Sequence, residues 1–461
     1  MLARSTVGRS ARRALRCQCQ LGTVPLGGRR GLAAPASGSF SYETGDAAGI
    51  KVASRDMAGA TTTLALVAKA GTRYQSLPGL SEALEKYAFK GTEKRSALRI
   101  QREVELLGAE LQSYHTRENL VIGAKFLRDD LPYFVELLSE VVTQTKFSPH
   151  YIDEELNRLM SISHKSHLAN TESMALDSVH GIAFHRGLGH PLKPTTSLPY
   201  SQYISVETLS AFNDAAYSKG NFAIVANGAA SGELAKWVGE YFGEAPTISY
   251  KLESGQSKYY GGEERIAHGG GNTMIIGFPG SSSLTGGFYK PEISVLAALL
   301  GGKSTIKWSP GFSLLGKAGA SIPGVKAATK SAIYSDAGIL YSVMSGNADG
   351  VAALAEETVK AVKAIAAGEI PKEDIAKAVA LAKFKELDFG QNVQNGLELT
   401  GSGLIQQGKP YQVDDSAAAI GAVTEEQVVQ AAKTLLENKA SVSTVGDLFR
   451  LPFGEDLGLK V

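Results

Sequence analysis

Residues 78–96 read PGLSEALEKYAFKGTEKRS, and both fold and function turn on this stretch. Leu80, Ala83, Leu84, Tyr87 and Ala88 recur at helical spacing, which places them on one face of a helix. Glu82, Glu85 and Lys86 then share another face. Two groups three and four residues from a third form the geometry used by helical zinc motifs. An ammonium has no lone pair, however, so Lys86 repels a dication instead of binding it. Glu82 and Lys86 are spaced as an i,i+4 ion pair in the favourable order, worth about 0.2–0.5 kcal/mol on an exposed helix.

Further along, the chain repeats an order of elements, the mark of an internal duplication. Residues 109–126 alternate around Glu118-Asn119 and predict two strands and a turn. Leu131, Phe134, Val135, Leu138 and Val142 predict a helix, and Ser148-Pro149 suits the N-cap and first turn of a second one starting at Tyr151. Residues 329–344 again predict paired strands, around Ser335-Asp336. A helix over 351–367, a break at Gly368 and a helix opened by Ile370-Pro371 complete the repeat. Pro149 and Pro371 lie 222 positions apart, and Leu131 and Val351 lie 220 apart. A chain of 461 residues also exceeds the roughly 250–300 at which one core stops growing. The expected fold class is α/β (α+β): two homologous domains, each a mixed sheet covered by helices. They should span 39–248 and 266–461, joined by a polar linker at 249–265 that contains Gly255 and Gly261-Gly262.

Within 78–96, Gly79, Glu85, Phe89, Lys90, Gly91 and Thr92 match a longer pattern. The run resembles the G-x-x-H-x-x-E-H-x-x-F-K-G-T helix of the pitrilysin-type zinc peptidases. That family includes the mitochondrial processing peptidase and the core subunits of respiratory complex III. In its active members two histidines hold zinc, the Glu activates water, and a third ligand lies about 76 residues further along. Here the histidine positions are Glu82 and Lys86, and counting 77 places on from Lys86 reaches Ser163, within a helix expected over 153–168. The resemblance therefore implies a degenerate site at Glu82, Glu85, Lys86 and Ser163, with no catalytic residue, no metal and no cofactor of this chain's own. A displaced metal site built from Glu82, Glu85 and His167, with His164 one turn before it, is the other reading.

Residues 299–317, LLGGKSTIKWSPGFSLLGK, resemble the core-subunit branch of the family through Lys307, Trp308, Ser309, Pro310 and Gly311. They are unlike the longer glycine-rich loop of the processing peptidase α-subunit, the rival assignment. The segment also contains Gly302-Lys303-Ser304, the end of a phosphate-loop pattern. Ala297 stands where its first glycine belongs, and 295–300 reads as the end of a helix, so nucleotide binding is not expected. His180, His185 and His190 read as loop or packing positions that follow the helix. The ending, Val445-Gly446-Asp447-Leu448 with Leu451-Pro452-Phe453, adds to the core-subunit resemblance. What this resemblance implies is a structural subunit on the matrix side of the mitochondrial inner membrane. Its partners would be core protein 1, cytochrome b, cytochrome c1 and the iron-sulfur protein, in a dimeric complex.

Residues 1–38 read as a mitochondrial transit peptide, with Arg4, Arg9, Arg12, Arg13, Arg16, Arg29 and Arg30 and no acidic residue before Glu43. A basic arm for nucleic acid or anionic lipid is the alternative. Without these seven charges the chain carries 40 basic against 46 acidic residues, a net of −6, which gives no electrostatic case for nucleic acid. Cys17 and Cys19 both fall in the leader, so the remainder has no thiol chemistry. No run approaches the ~18–20 apolar residues of a spanning helix, and membrane association is expected through partners alone.

Overall fold

A computed structural model describes the chain except residues 1–40, 58, 194–198, 200–201, 248–251, 253, 305–308 and 393–395. The leader, Lys307, Trp308 and part of the expected linker lie outside the described residues.

Two sheets organise the molecule. The first contains β1 (Glu43–Ala47), β2 (Ile50–Arg55), β3 (Thr61–Ala68), β4 (Glu110–His115), β5 (Leu120–Leu127) and β6 (Phe222–Asn227), in the order β1-β2-β6-β3-β5-β4. The second contains β7 (Gly262–Ala267), β8 (Asn272–Pro279), β9 (Val325–Ile333), β10 (Gly338–Gly346) and β11 (Ser441–Gly446), in the order β7-β11-β8-β10-β9. Each has one parallel pairing, β2 with β6 and β7 with β11, and its other pairings are antiparallel. Apart from the extra edge strand β1, the two orders superimpose position by position, as a duplication requires. Strand β7 takes in the last residues of the 249–265 linker.

Helices of the first half are α1 (Leu80–Tyr87), α2 (Ala97–Leu106), α3 (Leu131–Thr143), α4 (Asn157–Ala169), α5 (Thr171–Phe184), α6 (Val206–Ala216) and α7 (Ser231–Tyr241). The second half has α8 (Pro291–Leu300), α9 (Leu314–Ser321), α10 (Ala348–Ala367), α11 (Lys372–Gln391), α12 (Leu397–Gln407), α13 (Val413–Gly421) and α14 (Glu425–Glu437). Local chemistry sets their ends: Ser205 and Thr208 form a capping box on α6, Thr424 and Gln427 another on α14, and Gly368 ends α10 at φ 76°.

Strand β3, TTTLALVA, is buried on both faces, and its two alternating sets go to different cores. Leu64 and Leu66 join Ile122, Ile224, Leu84, Phe134 and Leu138 beneath the first half's own helices. Ala65 and Val67, with Val121 and Val225, pack instead against Leu397 and Leu404 of α12. The reciprocal contact places Ala175, Val179 and Phe184 of α5 against Ile275, Ile339, Tyr341 and Val445 of the second sheet. Each half therefore lends one helix to the far face of the other half's sheet, and the described chain forms one compact unit.

Polar contacts reinforce this exchange. Glu398 of α12 accepts hydrogen bonds from Asn119 Nδ2 (2.9 Å) and Thr116 Oγ1 (2.8 Å) at the β4–β5 turn. His180 lies inside α5 and not after the helix, and of the two readings the sequence allows, loop or packing position, it is the packing position. Its Nδ1 donates to the Leu176 carbonyl (2.7 Å), and its Nε2 accepts from the Tyr334 hydroxyl (2.9 Å). Burial first, then the Arg117 charge, holds the imidazole well below the usual histidine range, so it packs between the halves as a neutral ring.

Candidate functional site: the polar face of helix α1

Helix α1 begins at Gly79, whose φ of 89° suits glycine, and Gln75 Oε1 accepts from the Gly79 and Ser81 amides (3.2 and 3.3 Å). Its apolar residues Leu80, Ala83, Leu84 and Tyr87 are buried, as their spacing predicted. The polar face is buried as well: Glu82 is 1% exposed and Glu85 is 8% exposed. That burial redirects the charge pairing. The expected Glu82–Lys86 pair does not form. Lys86 Nζ lies 2.7 Å from Glu85 Oε1, and Glu82 Oε1 lies 2.7 Å from Nζ of Lys193. An exposed i,i+4 pair is worth a few tenths of a kcal/mol, whereas an uncompensated buried carboxylate costs several, so Glu82 takes the cation that comes from outside its helix.

Glu85 has a second partner. Its Oε2 accepts from Nδ1 of His115, at the end of β4, and His115 Nε2 donates to the Leu192 carbonyl (3.2 Å). Ser163 is half-buried on α4, with His164 and His167. His167 is committed elsewhere, with Nδ1 2.7 Å from Ser173 Oγ and Nε2 3.4 Å from Asp177 Oδ2. Arg117 also pairs with Asp177. The three members of the displaced metal set thus have different partners: Lys193 for Glu82, His115 and Lys86 for Glu85, and Ser173 with Asp177 for His167.

These donors do not suit a divalent cation. Two ammonium groups stand 2.7 Å from the two α1 carboxylates, and a metal at either would have to displace its existing partners. Among the described residues no three His, Cys, Asp or Glu side chains gather as a metal-binding group.

Burial alone would raise the Glu85 carboxyl, but the His115 hydrogen bond and charge, followed by Lys86, overcome it and hold the group at about 2. Such a carboxylate is a very weak base toward water at neutral pH. Its folded value lies below the ordinary 4.5, so its contribution to stability is complete above 4.5 and is lost as the pH falls toward about 2. Glu85→Gln should cost about 1–2 kcal/mol at pH 7, after allowance for partial solvent screening, and the deficit should shrink on acidification. Urea midpoints of both proteins from pH 7 to pH 3 measure this, and a deficit that grows on acidification contradicts it.

Residues 302–304 show no phosphate loop. Lys303 N donates to the Ala327 carbonyl (3.1 Å), which ties the backbone to β9, and the preceding element is helix α8. Ser309 Oγ accepts from Gly311 N (3.2 Å) in an exposed turn, His185 stacks on Tyr260 with ring centroids 4.1 Å apart, and His190 Nδ1 lies 3.2 Å from the Thr72 carbonyl.

His115, Lys193 and Asp177 were not picked out from the sequence. They lie 30, 111 and 95 positions from the α1 residues Glu85, Glu82 and Glu82, so no local periodicity marks them. The one available signal is the place of His115 in the first half of the alternating 109–126 run, just before its turn.

Comparison with known proteins gives the family of the chain. Residues 51–196 match the family described as Insulinase (Peptidase family M16), and residues 203–381 match the Peptidase M16 inactive domain. The chain is 50% identical to the cytochrome b-c1 complex subunit 2, mitochondrial, of Neurospora crassa, with 100% of both chains covered. It is 35% identical to the protein of the same name in Schizosaccharomyces pombe over 91% of this chain and 95% of that one. The rat protein of that name is 27% identical over 89% and 90%. This chain belongs to the M16 peptidase family, in the branch formed by the mitochondrial cytochrome b-c1 complex subunit 2 proteins.

Proposed function

We propose that this mitochondrial chain is core protein 2 of the cytochrome b-c1 complex, a non-catalytic structural subunit that supports assembly and stability of ubiquinol-cytochrome c reductase. The observation that carries the reading is full-length identity of 50% to a subunit of that name, on a helix whose metal positions hold Glu82 and Lys86. The chain does no chemistry of its own and holds no metal; electron transfer belongs to other subunits. Its partners in this reading are core protein 1, cytochrome b, cytochrome c1 and the iron-sulfur protein, in a dimeric complex. It is peripheral on the matrix side of the inner membrane, and no described helix is long and apolar enough to cross a membrane. Residues 1–38 form the transit peptide, followed by a first domain at 39–248, a linker at 249–265 and a second domain at 266–461.

An α-type substrate-binding subunit of the processing peptidase is not favoured, because relatives matching nine-tenths or more of the chain bear the b-c1 name. Capture of the tagged chain from mitochondria in mild detergent tests the assignment. Absorbance from b- and c-type cytochromes in the captured material is expected; a heme-free complex with a soluble peptidase subunit contradicts it.

A further inference from the structure

Residues 187–193 follow α5 and form a strap that is fixed from several elements and reaches α1 at its last residue. Arg117 Nη1 donates to the carbonyls of Leu188 (3.2 Å) and His190. Leu192 N donates to Asp177 Oδ1 (3.3 Å), and the Leu192 carbonyl accepts from His115 Nε2 (3.2 Å). At its end Lys193 extends its ammonium to 2.7 Å from Glu82 Oε1, with side-chain exposures of 21% for the lysine and 2% for the glutamate. A carboxylate this buried needs a cation or a proton, and its own helix does not supply the cation, because Lys86 is engaged with Glu85.

We infer that Lys193 is a built-in counter-cation for Glu82, a positioning residue that neutralises the former metal helix from within the chain. Its ammonium supplies one positive charge and a hydrogen bond to Glu82 Oε1, enough to seat α1 without a metal, and a point charge there repels an approaching dication. Because the same residue ends the strap, neutralising Glu82 also fastens residues 187–193 to α1. The substitution at the second histidine position and the strap act together: Lys86 holds Glu85, and Lys193 holds Glu82. This inference rests on the reading of α1 as metal-free.

The test uses the full chain with Lys193→Met, Lys193→Arg and the double variant Glu82→Gln/Lys193→Met. The readout is amide hydrogen exchange, followed by mass spectrometry. Lys193→Met should accelerate exchange in residues 80–87 and 187–193 by about tenfold or more, with α10 unchanged as internal reference. Lys193→Arg should stay near wild type, because it keeps the charge. The double variant should recover most of the protection, because a neutral amide no longer needs a cation. Wild-type exchange in Lys193→Met, or a double variant as fast as the single one, overturns the role of Lys193. Titration of the wild-type chain with zinc alone separates the two failures. Stoichiometric uptake overturns the metal-free reading and this inference with it, whereas absent uptake with unaltered exchange overturns the role of Lys193 alone.

Discussion

Replacing Arg73 by methionine is expected to destabilise the protein by about 3–5 kcal/mol, the usual consequence of removing one member of a buried ion pair. Arg73 follows β3 in the first half, and its side chain is 4% exposed. Its Nη1 lies 2.8 Å from Glu118 in the β4–β5 turn, and its two Nη atoms lie 2.8 and 2.7 Å from the Asp336 carboxylate in the β9–β10 turn. Nε and Nη2 also donate to Ser254 Oγ (3.1 Å) and the Gly255 carbonyl (3.0 Å), on the segment between the halves. One guanidinium thus joins the equivalent turns of both sheets to the chain that links them. Glu118 further accepts from the Ser335 amide (2.8 Å) and hydroxyl (2.6 Å), and Asp336 accepts from the Ser257 amide (2.8 Å). Methionine would fill much of the volume and leave two carboxylates facing each other without a cation. Urea denaturation of the full chain measures the loss, and Arg73→Met/Glu118→Gln should recover part of it. A loss within 0.5 kcal/mol, about that of an ordinary surface change, refutes the role assigned to Arg73.

Gly401→Ala is expected to cost about 1–3 kcal/mol, and Gly401→Val more, because α12 approaches β3 at this position without room for a side chain. A Cβ at Gly401 would lie 2.5 Å from Val67 Cγ2 and 2.6 Å from Val67 Cβ, so turning a flexible terminus aside does not relieve the contact. Val67 is fully buried on the face of the first sheet that α12 covers, and moving the helix outward would separate Leu397 and Leu404 from that core. A compensating change follows from the geometry: Val67→Ala should cost less in the Gly401→Ala background than in wild type. Thermal unfolding of the four proteins of this cycle gives the coupling directly, and strict additivity contradicts the close approach.

Local elements were the most legible part of the fold. The apolar face of α1, the helices α3 and α10 and the hairpins β4–β5 and β9–β10 follow from spacing alone, because their residues touch neighbours three, four or two positions away. The duplication was legible as near-constant offsets, and the equal strand order of the two sheets corresponds to it. The exchange of α5 and α12 between halves was not. An apolar helix face shows that something covers it, not which sheet does.

The candidate site shows the same division. The identities of Lys86 and Ser163 already argue against zinc, since an ammonium has no lone pair and ligand chemistry is a property of the residue itself, whereas Glu82 and Glu85 keep carboxylates that could serve a metal. Their pairing depended on burial, which the i,i+4 rule does not contain. Once Glu82 is 1% exposed, a lysine from the strap is worth more to it than the half-solvated Lys86 one turn away.

Zinc content of the purified full-length chain, by elemental mass spectrometry after exposure to excess zinc and desalting, tests the central claim most directly. With Lys86 and Lys193 paired to the two α1 carboxylates, the chain should retain far less than one zinc per molecule, and Glu82→Gln should leave that figure unchanged. One zinc per chain, lost in Glu82→Gln, would contradict the account.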